Sequence, residues 1–473
     1  MVILIPTLLV GVALNQASSA TELTVYNQGF GFVKELRQLQ LKKGRQQVAI
    51  QDVAEQIETN SVGIRSIDDP KSISVLEQNY QYDLINSQAI LNKAVGGKIR
   101  LNRILPNGQR ESLVGTLLSA PTAVVNGPNG GGMVYSGMVL RTDDGRIVLD
   151  PHGEVEVTSI PDGLISRPTL VWELEAANAG RNTVELSYLT QGMSWNADYV
   201  FTLGADNTAD LLGWVTITNN SGASFKDAKL KLLAGDVART NIRVQYANTE
   251  GLAAAADAAP QFKEQALFEY HLYSLQRPAT VRNHEMKQIS LLEGHGVKFE
   301  KRLIVDSMMG YGTWYPQEGE VGTGDIKPLV KLEFVNSEKN GLGMPLPKGN
   351  FKVYQRDASG SVQMLGEDQI DHTPKEEKLS ITVGRSFDIR ASRKRLSFKR
   401  ISGNEVEESY SIELRNRKDV GDTVQVLERH WGDWSVSEKS MDFTKDDAMT
   451  MHFSVSLKAG EAKTITYTVH TKW

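Results

Sequence analysis

The chain has 473 residues, 40% of them hydrophobic and 23% charged, which excludes wholesale disorder and implies two to four domains. Its 52 basic and 57 acidic residues leave a net charge of -5, spread without a basic block, so the concentrated cationic footprint that nucleic acid requires is missing. Cysteine is absent, which removes thiolate nucleophiles, Cys-based zinc sites and iron–sulfur clusters.

Taken in order, the chain begins with an apolar run, Val2 to Leu14, followed by small residues at Ser18 and Ala20. That pattern predicts a signal peptide over 1–20 and an exported mature chain starting at Thr21, although no Lys or Arg precedes the run. No later stretch approaches the ~20 apolar residues of a membrane helix. Alternating segments at Thr21 to Gln28, Arg37 to Leu41 and Arg45 to Ile50 predict an N-terminal β-sandwich module over 21–90. A short Gly turn before a period-two strand recurs at Ala177-Asn178-Ala179-Gly180 and at Leu457-Lys458-Ala459-Gly460, as at the closing edge of a sandwich.

Between 91 and 165 the strands shorten and turns such as Pro106-Asn107-Gly108 and Asp143-Asp144-Gly145 crowd in, predicting an inserted small SH3-like β-barrel module. Residues 166–249, with Trp172, Trp195, Tyr199 and Trp214 in or beside strands, read as a central β-sandwich. The Ala-rich start of Leu252 to Tyr273 predicts a linker or weak helix over 250–288. Strands resume over 289–390, a β region able to complete the central sandwich, and 391–473 reads as a C-terminal immunoglobulin-like β-sandwich. The expected fold is therefore mostly β: multidomain immunoglobulin-like sandwiches with few helices. The alternating Ile465, Tyr467, Val469 and terminal Trp473 resemble the end of an outer-membrane barrel, but earlier strands do not sustain that pattern.

Several blocks resemble the bacterial family known as domain of unknown function 4139. They are Leu23-Thr24-Val25-Tyr26-Asn27-Gln28-Gly29, Ile165 to Trp172, Trp195-Asn196-Ala197-Asp198-Tyr199, Gly213 to Gly222, Gly366-Glu367-Asp368 with Asp371 to Lys375, and Thr466 to Val469. The resemblance implies an exported, sandwich-rich envelope protein, periplasmic or extracellular. It supplies no activity and no catalytic residues.

Motifs for chemistry are sparse. There is no Walker loop, no Gly-x-Ser-x-Gly elbow and no His-Glu-x-x-His helix, since Gln288 stands where the second His after His284-Glu285 would be. The densest polar segment runs from Tyr354 to Glu377 and contains Arg356, Glu367, Asp368, Asp371 and His372. Carboxylates beside an imidazole suit a divalent cation or a base with its orienter, which makes His372, Asp368 and Glu367 the catalytic candidates of a metal-assisted hydrolase. Alternation separates Asp371 from His372, so a polar turn that caps backbone donors is the simpler reading. Tyr270 and His271, in Glu269-Tyr270-His271-Leu272-Tyr273, form a stripe able to extend a sheet edge. Tyr311, Trp314 and Tyr315 in a Gly-rich loop suit a protein partner or a carbohydrate. Together these features favour a non-catalytic binding or scaffold role, with an envelope protein or surface polysaccharide as partner and no cofactor.

Overall fold

Period-two burial makes strands of most of this chain. In the computed structural model, which describes residues 20–124, 134–239, 261–308 and 321–473, the Glu405–Asn416 strand buries Val406, Glu408, Tyr410, Ile412, Leu414 and Asn416 and turns the alternate residues outward. The one α-helix among the described residues, Ser87–Lys93, starts where the Asn86 side chain accepts a hydrogen bond from Ala89 N at 2.9 Å.

The protein is mostly β, built of several sheets, none closed into a barrel. The N-terminal sheet runs Phe262–Leu267, Tyr270–Leu275, Phe225–Ala234, Ala20–Tyr26, Phe30–Leu41, Gly180–Gln191, Gly63–Ser66. Its Ala20–Tyr26 strand pairs antiparallel with the next strand in sequence and parallel with Phe225–Ala234. A central sheet runs Glu285–Lys298, Thr208–Asn219, Met193–Leu203, Gly349–Arg356, Val362–Ile370, and its parallel pair again joins distant segments, Ala197 opposite Gly349. A three-stranded sheet of Gly44–Gln51, Thr169–Ala176 and Ile73–Gln81 completes the layers around one core that contains Trp172, Tyr188, Trp195, Tyr199 and Phe351.

A second core lies between a six-stranded sheet (Lys378–Arg385, Leu329–Val335, Glu300–Asp306, Asp422–Arg429, Thr450–Leu457, Thr444–Lys445) and a five-stranded sheet (Gly324–Ile326, Ile389–Ser402, Glu405–Asn416, Ala462–Lys472, Asp433–Lys439). The six-stranded sheet serves both cores. Leu332, Phe334, Leu379 and Ile381 pack into the first, while Leu303, Val305, Val424 and Val426 pack into the second.

Two expectations change. The insert is an open five-stranded sheet, Ile147–Leu149, Val139–Thr142, Arg110–Ser119, Lys98–Ile104, Glu154–Val157, around Ile99, Leu101, Leu117 and Leu140, rather than a closed barrel. Its outer strands have three and four residues, too few ladder bonds to hold a curled sheet shut. Where a weak helix is expected up to Tyr273, Phe262–Leu267 and Tyr270–Leu275 form a hairpin on the edge of the N-terminal sheet. Strand geometry there buries Phe262, Tyr273 and Leu275 in the first core, which outweighs local helix propensity; the Ala-rich residues themselves lie outside the described ones.

Three strands end on the same device. Asn219, Asn336 and Asn416 are each fully buried. Asn416 Nδ2 donates to Val420 O and Lys458 O, both at 2.9 Å, and its Oδ1 accepts from Lys418 N at 3.0 Å. Asn219 donates to Ala223 O and Arg282 O and accepts from Ser221 N. Asn336 donates to Met344 O and Pro374 O and accepts from Gly343 N. Each amide satisfies the turn that follows its strand and a second segment that crosses it, where no backbone partner is available. Asn416→Ala orphans two carbonyls and one amide, so it is expected to destabilise the C-terminal core by about 2 kcal/mol. Asn416→Asp should not rescue it, because a carboxylate cannot donate. Urea unfolding of both variants checks this, and a wild-type midpoint for either would contradict it.

Candidate functional site

The polar residues picked out by sequence belong to two separate places. The first is the Gly349–Arg356 and Val362–Ile370 hairpin. Arg356 is at its tip, exposed, donating to Gly360 O at 3.1 Å. Asp368 lies toward the other end, opposite Phe351. Its Oδ2 accepts from Thr382 N at 2.6 Å and its Oδ1 from Gln369 N at 2.9 Å, so the carboxylate stitches the central sheet to the Lys378–Arg385 strand. Gly366 allows that approach, because a Cβ there would collide with the Val383 carbonyl. Glu367 alternates to the other face and is exposed. Asp371 caps the chain turn, its Oδ1 accepting from His372 N at 2.9 Å.

The second place is a seam where the N-terminal and central sheets meet the 345–348 segment. Pro345 and Pro347 have no N–H, and their carbonyls take the phenols of two buried tyrosines, Tyr273 at 2.9 Å from one sheet and Tyr199 at 2.8 Å from the other. Leu346 and Thr373 exchange both backbone hydrogen bonds at 2.8 Å, which brings His372 over the segment. His372 Nδ1 accepts from Lys348 N at 3.1 Å, so the neutral ring carries its proton on Nε2. That Nε2 is buried without a partner. Burial lowers the His372 pKa, with Lys348 and His271 acting in the same direction and Asp371 and Asp236 opposing.

His271 is thus in electrostatic reach of His372, although 101 residues separate the two in the chain; the Tyr270–Leu275 strand pairs with Phe225–Ala234, His271 opposite Ala234. Its Nδ1 is hydrogen-bonded to Glu264 Oε1 at 2.7 Å. Tyr270 packs on Gly235, where any side chain would strike its ring. The seam therefore brings His271 within electrostatic reach of His372, while Arg356, Glu367 and Asp368 belong to the hairpin. Among the described residues no group of three or more His, Asp or Glu is arranged to hold a metal ion. Tyr311, Trp314 and Tyr315 lie outside the described residues.

Sequence reasoning passed over the most concentrated buried charge. Arg393 Nε lies 3.1 and 3.0 Å from the two Glu428 oxygens, and its Nη2 lies 2.8 Å from Oε2. Tyr467 donates to the same carboxylate, and the Arg393 guanidinium stacks 3.8 Å from the Tyr410 ring centroid. Tyr410 and Arg395 both donate to Glu408 Oε1, at 2.8 and 3.1 Å. His430 is buried beside them, 5.7 Å from the Tyr467 ring and 5.3 Å from that of Trp434, with Nε2 unpartnered. Burial pushes its pKa down to about 4.

Compared with known proteins, the chain matches no family model and no curated protein.

Proposed function

We propose that this is an exported bacterial envelope protein with a non-catalytic binding or scaffold role, whose immunoglobulin-like sandwiches and small inserted sheet hold loops toward an envelope protein or a surface polysaccharide. The observation that carries the reading is the employment of its polar side chains. Asp368, Asn219, Asn336 and Asn416 are spent on backbone amides and carbonyls that join distant segments, and Asp371 caps a turn, as a rigid support requires. The pattern of residues 2–20 and the resemblance to domain of unknown function 4139 support export. No described helix is long and apolar enough to cross a membrane. Site-specific photo-cross-linking in native envelopes is expected to recover one and the same partner from several neighbouring surface positions. Turnover of an envelope substrate by the purified protein would overturn the reading.

The hydrolase alternative turns on the unpartnered Nε2 of His372, with Asp236 and His271 in electrostatic reach, and ligation there would require the ring proton to move to Nδ1 and the hydrogen bond from Lys348 N to be given up. That alternative requires a divalent ion retained in stoichiometric amount through metal-free purification and lost in His372→Ala. A metal-free protein removes it. The carbohydrate alternative rests on Tyr311, Trp314 and Tyr315, and glycan retention lost on their change to Ala is its test.

A further inference from the structure

In this acidic chain the Ile389–Ser402 strand is an exception: Arg390, Arg393, Lys394, Arg395, Lys399 and Arg400 occur in it without a single carboxylate. Arg393 and Arg395 turn inward and are taken up by Glu428 and Glu408. Lys394, Lys399 and Arg400 are exposed and make no ion pair among the described residues. Glu407 stands in register with Lys399 on the neighbouring strand and offsets part of its charge.

Among the described residues the strand also has an open side. Gly324–Ile326 covers only Ala391 to Arg393, and among the described residues no strand pairs beyond that point on the side away from Glu405–Asn416. On the paired side the register shifts twice, between Arg395 and Ser397 and between Arg400 and Ser402. The residues left over are Leu396 and Ile401, and they are 60% and 47% exposed. Bulges and edge lysines are devices that block the addition of a further strand, which argues against an extended peptide as the occupant. A second copy of the same cationic edge would be repelled. What remains unexplained by solubility is a pair of exposed apolar knobs set among three cations that make no ion pair among the described residues. That combination suits the boundary between headgroups and acyl chains of an anionic bilayer, where cations meet phosphates and apolar side chains enter a few ångströms deeper.

We propose that this edge, Lys394 to Ile401, docks the protein on an anionic lipid surface. The proposal does not depend on the export reading, because purified chain and vesicles test it directly. The full chain is expected to co-sediment with phosphatidylglycerol-containing vesicles, to release as salt rises, and to ignore pure phosphatidylcholine vesicles. Lys394→Gln/Lys399→Gln/Arg400→Gln should weaken binding on the order of 10- to 100-fold. Leu396→Ser/Ile401→Ser should weaken it while keeping the salt dependence. All five side chains are exposed, so an unchanged urea midpoint is expected and verifies folding; the salt response of the wild-type chain provides a readout without any variant. Absence of binding to anionic vesicles, wild-type binding by the folded charge variant, or binding to soluble polyphosphate but not to vesicles would each overturn the proposal.

Discussion

Glu428→Ala is expected to cost the C-terminal core about 3–5 kcal/mol, the effect of stranding a buried charge. Arg393 is 3% exposed, and Glu428 meets three of its hydrogen-bonding contacts. Its remaining nitrogen, Nη1, donates at 3.3 Å to the carbonyls of Val321 and Gly322, which do not neutralise the guanidinium. With the carboxylate gone, the cation faces Tyr410 and Tyr467 with no carboxylate bonded to it among the described residues, and Tyr467 loses its acceptor. The pair itself is a different matter. Taking both charges out of water nearly cancels their attraction, so Arg393→Met/Glu428→Leu should be distinctly more stable than Glu428→Ala alone. Because two cores share one sheet, a single unfolding transition is not assured, and hydrogen exchange at Glu405–Asn416 localises the loss better than a global signal. A Glu428→Ala chain with unchanged exchange protection in that strand would refute the account.

The sign of this network stands in the sequence. In Val406, Glu408, Tyr410, Ile412, Leu414 every second residue faces the core, and a carboxylate inside that stripe demands a buried cation. The same reading applies to Ala391, Arg393 and Arg395, and to Val424, Val426, Glu428 and His430. Periodicity along one strand reveals that such residues are buried. It does not reveal which meet, since Arg393 and Glu428 are 35 residues apart on opposing sheets whose alignment depends on the whole sandwich. The polar segment from Tyr354 to Glu377 misleads for the converse reason. Proximity in sequence suggests a cluster, but hairpin register sends Arg356 to the tip while Asp368 sits opposite Phe351. Alternation then separates Glu367 from Asp368. His372 finds its neighbours, Lys348, Asp236 and His271, through strand pairing that no local pattern encodes. The strand content was legible because it is local. The parallel pairing of Ala20–Tyr26 with Phe225–Ala234 was not, because it closes a loop of about 200 residues and leaves no short-range mark.

His430 should make the same core sensitive to mild acid. It is 2% exposed, just past the end of the Asp422–Arg429 strand, and the groups around it are Glu428 of that strand, Arg393, Tyr467 and Trp434. Burial is the leading influence and lowers its pKa, Arg393 lowers it further, and Glu428 opposes, leaving a value of about 4. An unfolded histidine titrates near 6.5. Above that pH both states hold a neutral ring and His430 contributes no pH dependence. Between 6.5 and 4 only the unfolded chain takes up the proton, so stability falls as pH falls, by about 3 kcal/mol across the window, and no further below it. His430→Phe keeps a flat ring against Trp434 and Tyr467 and removes both the titration and the orphaned Nε2. The unfolding free energy of the variant relative to wild type is therefore expected to be flat above about pH 6.5 and to rise as the pH is lowered through 5.5 to 4.5. Carboxylates remote from the ring act equally on both chains and cancel in that difference. A difference that stays flat would mean the ring reaches solvent or reorganises before it charges. A difference that shrinks as the pH is lowered would mean that the Glu428 carboxylate, rather than burial, governs the ring.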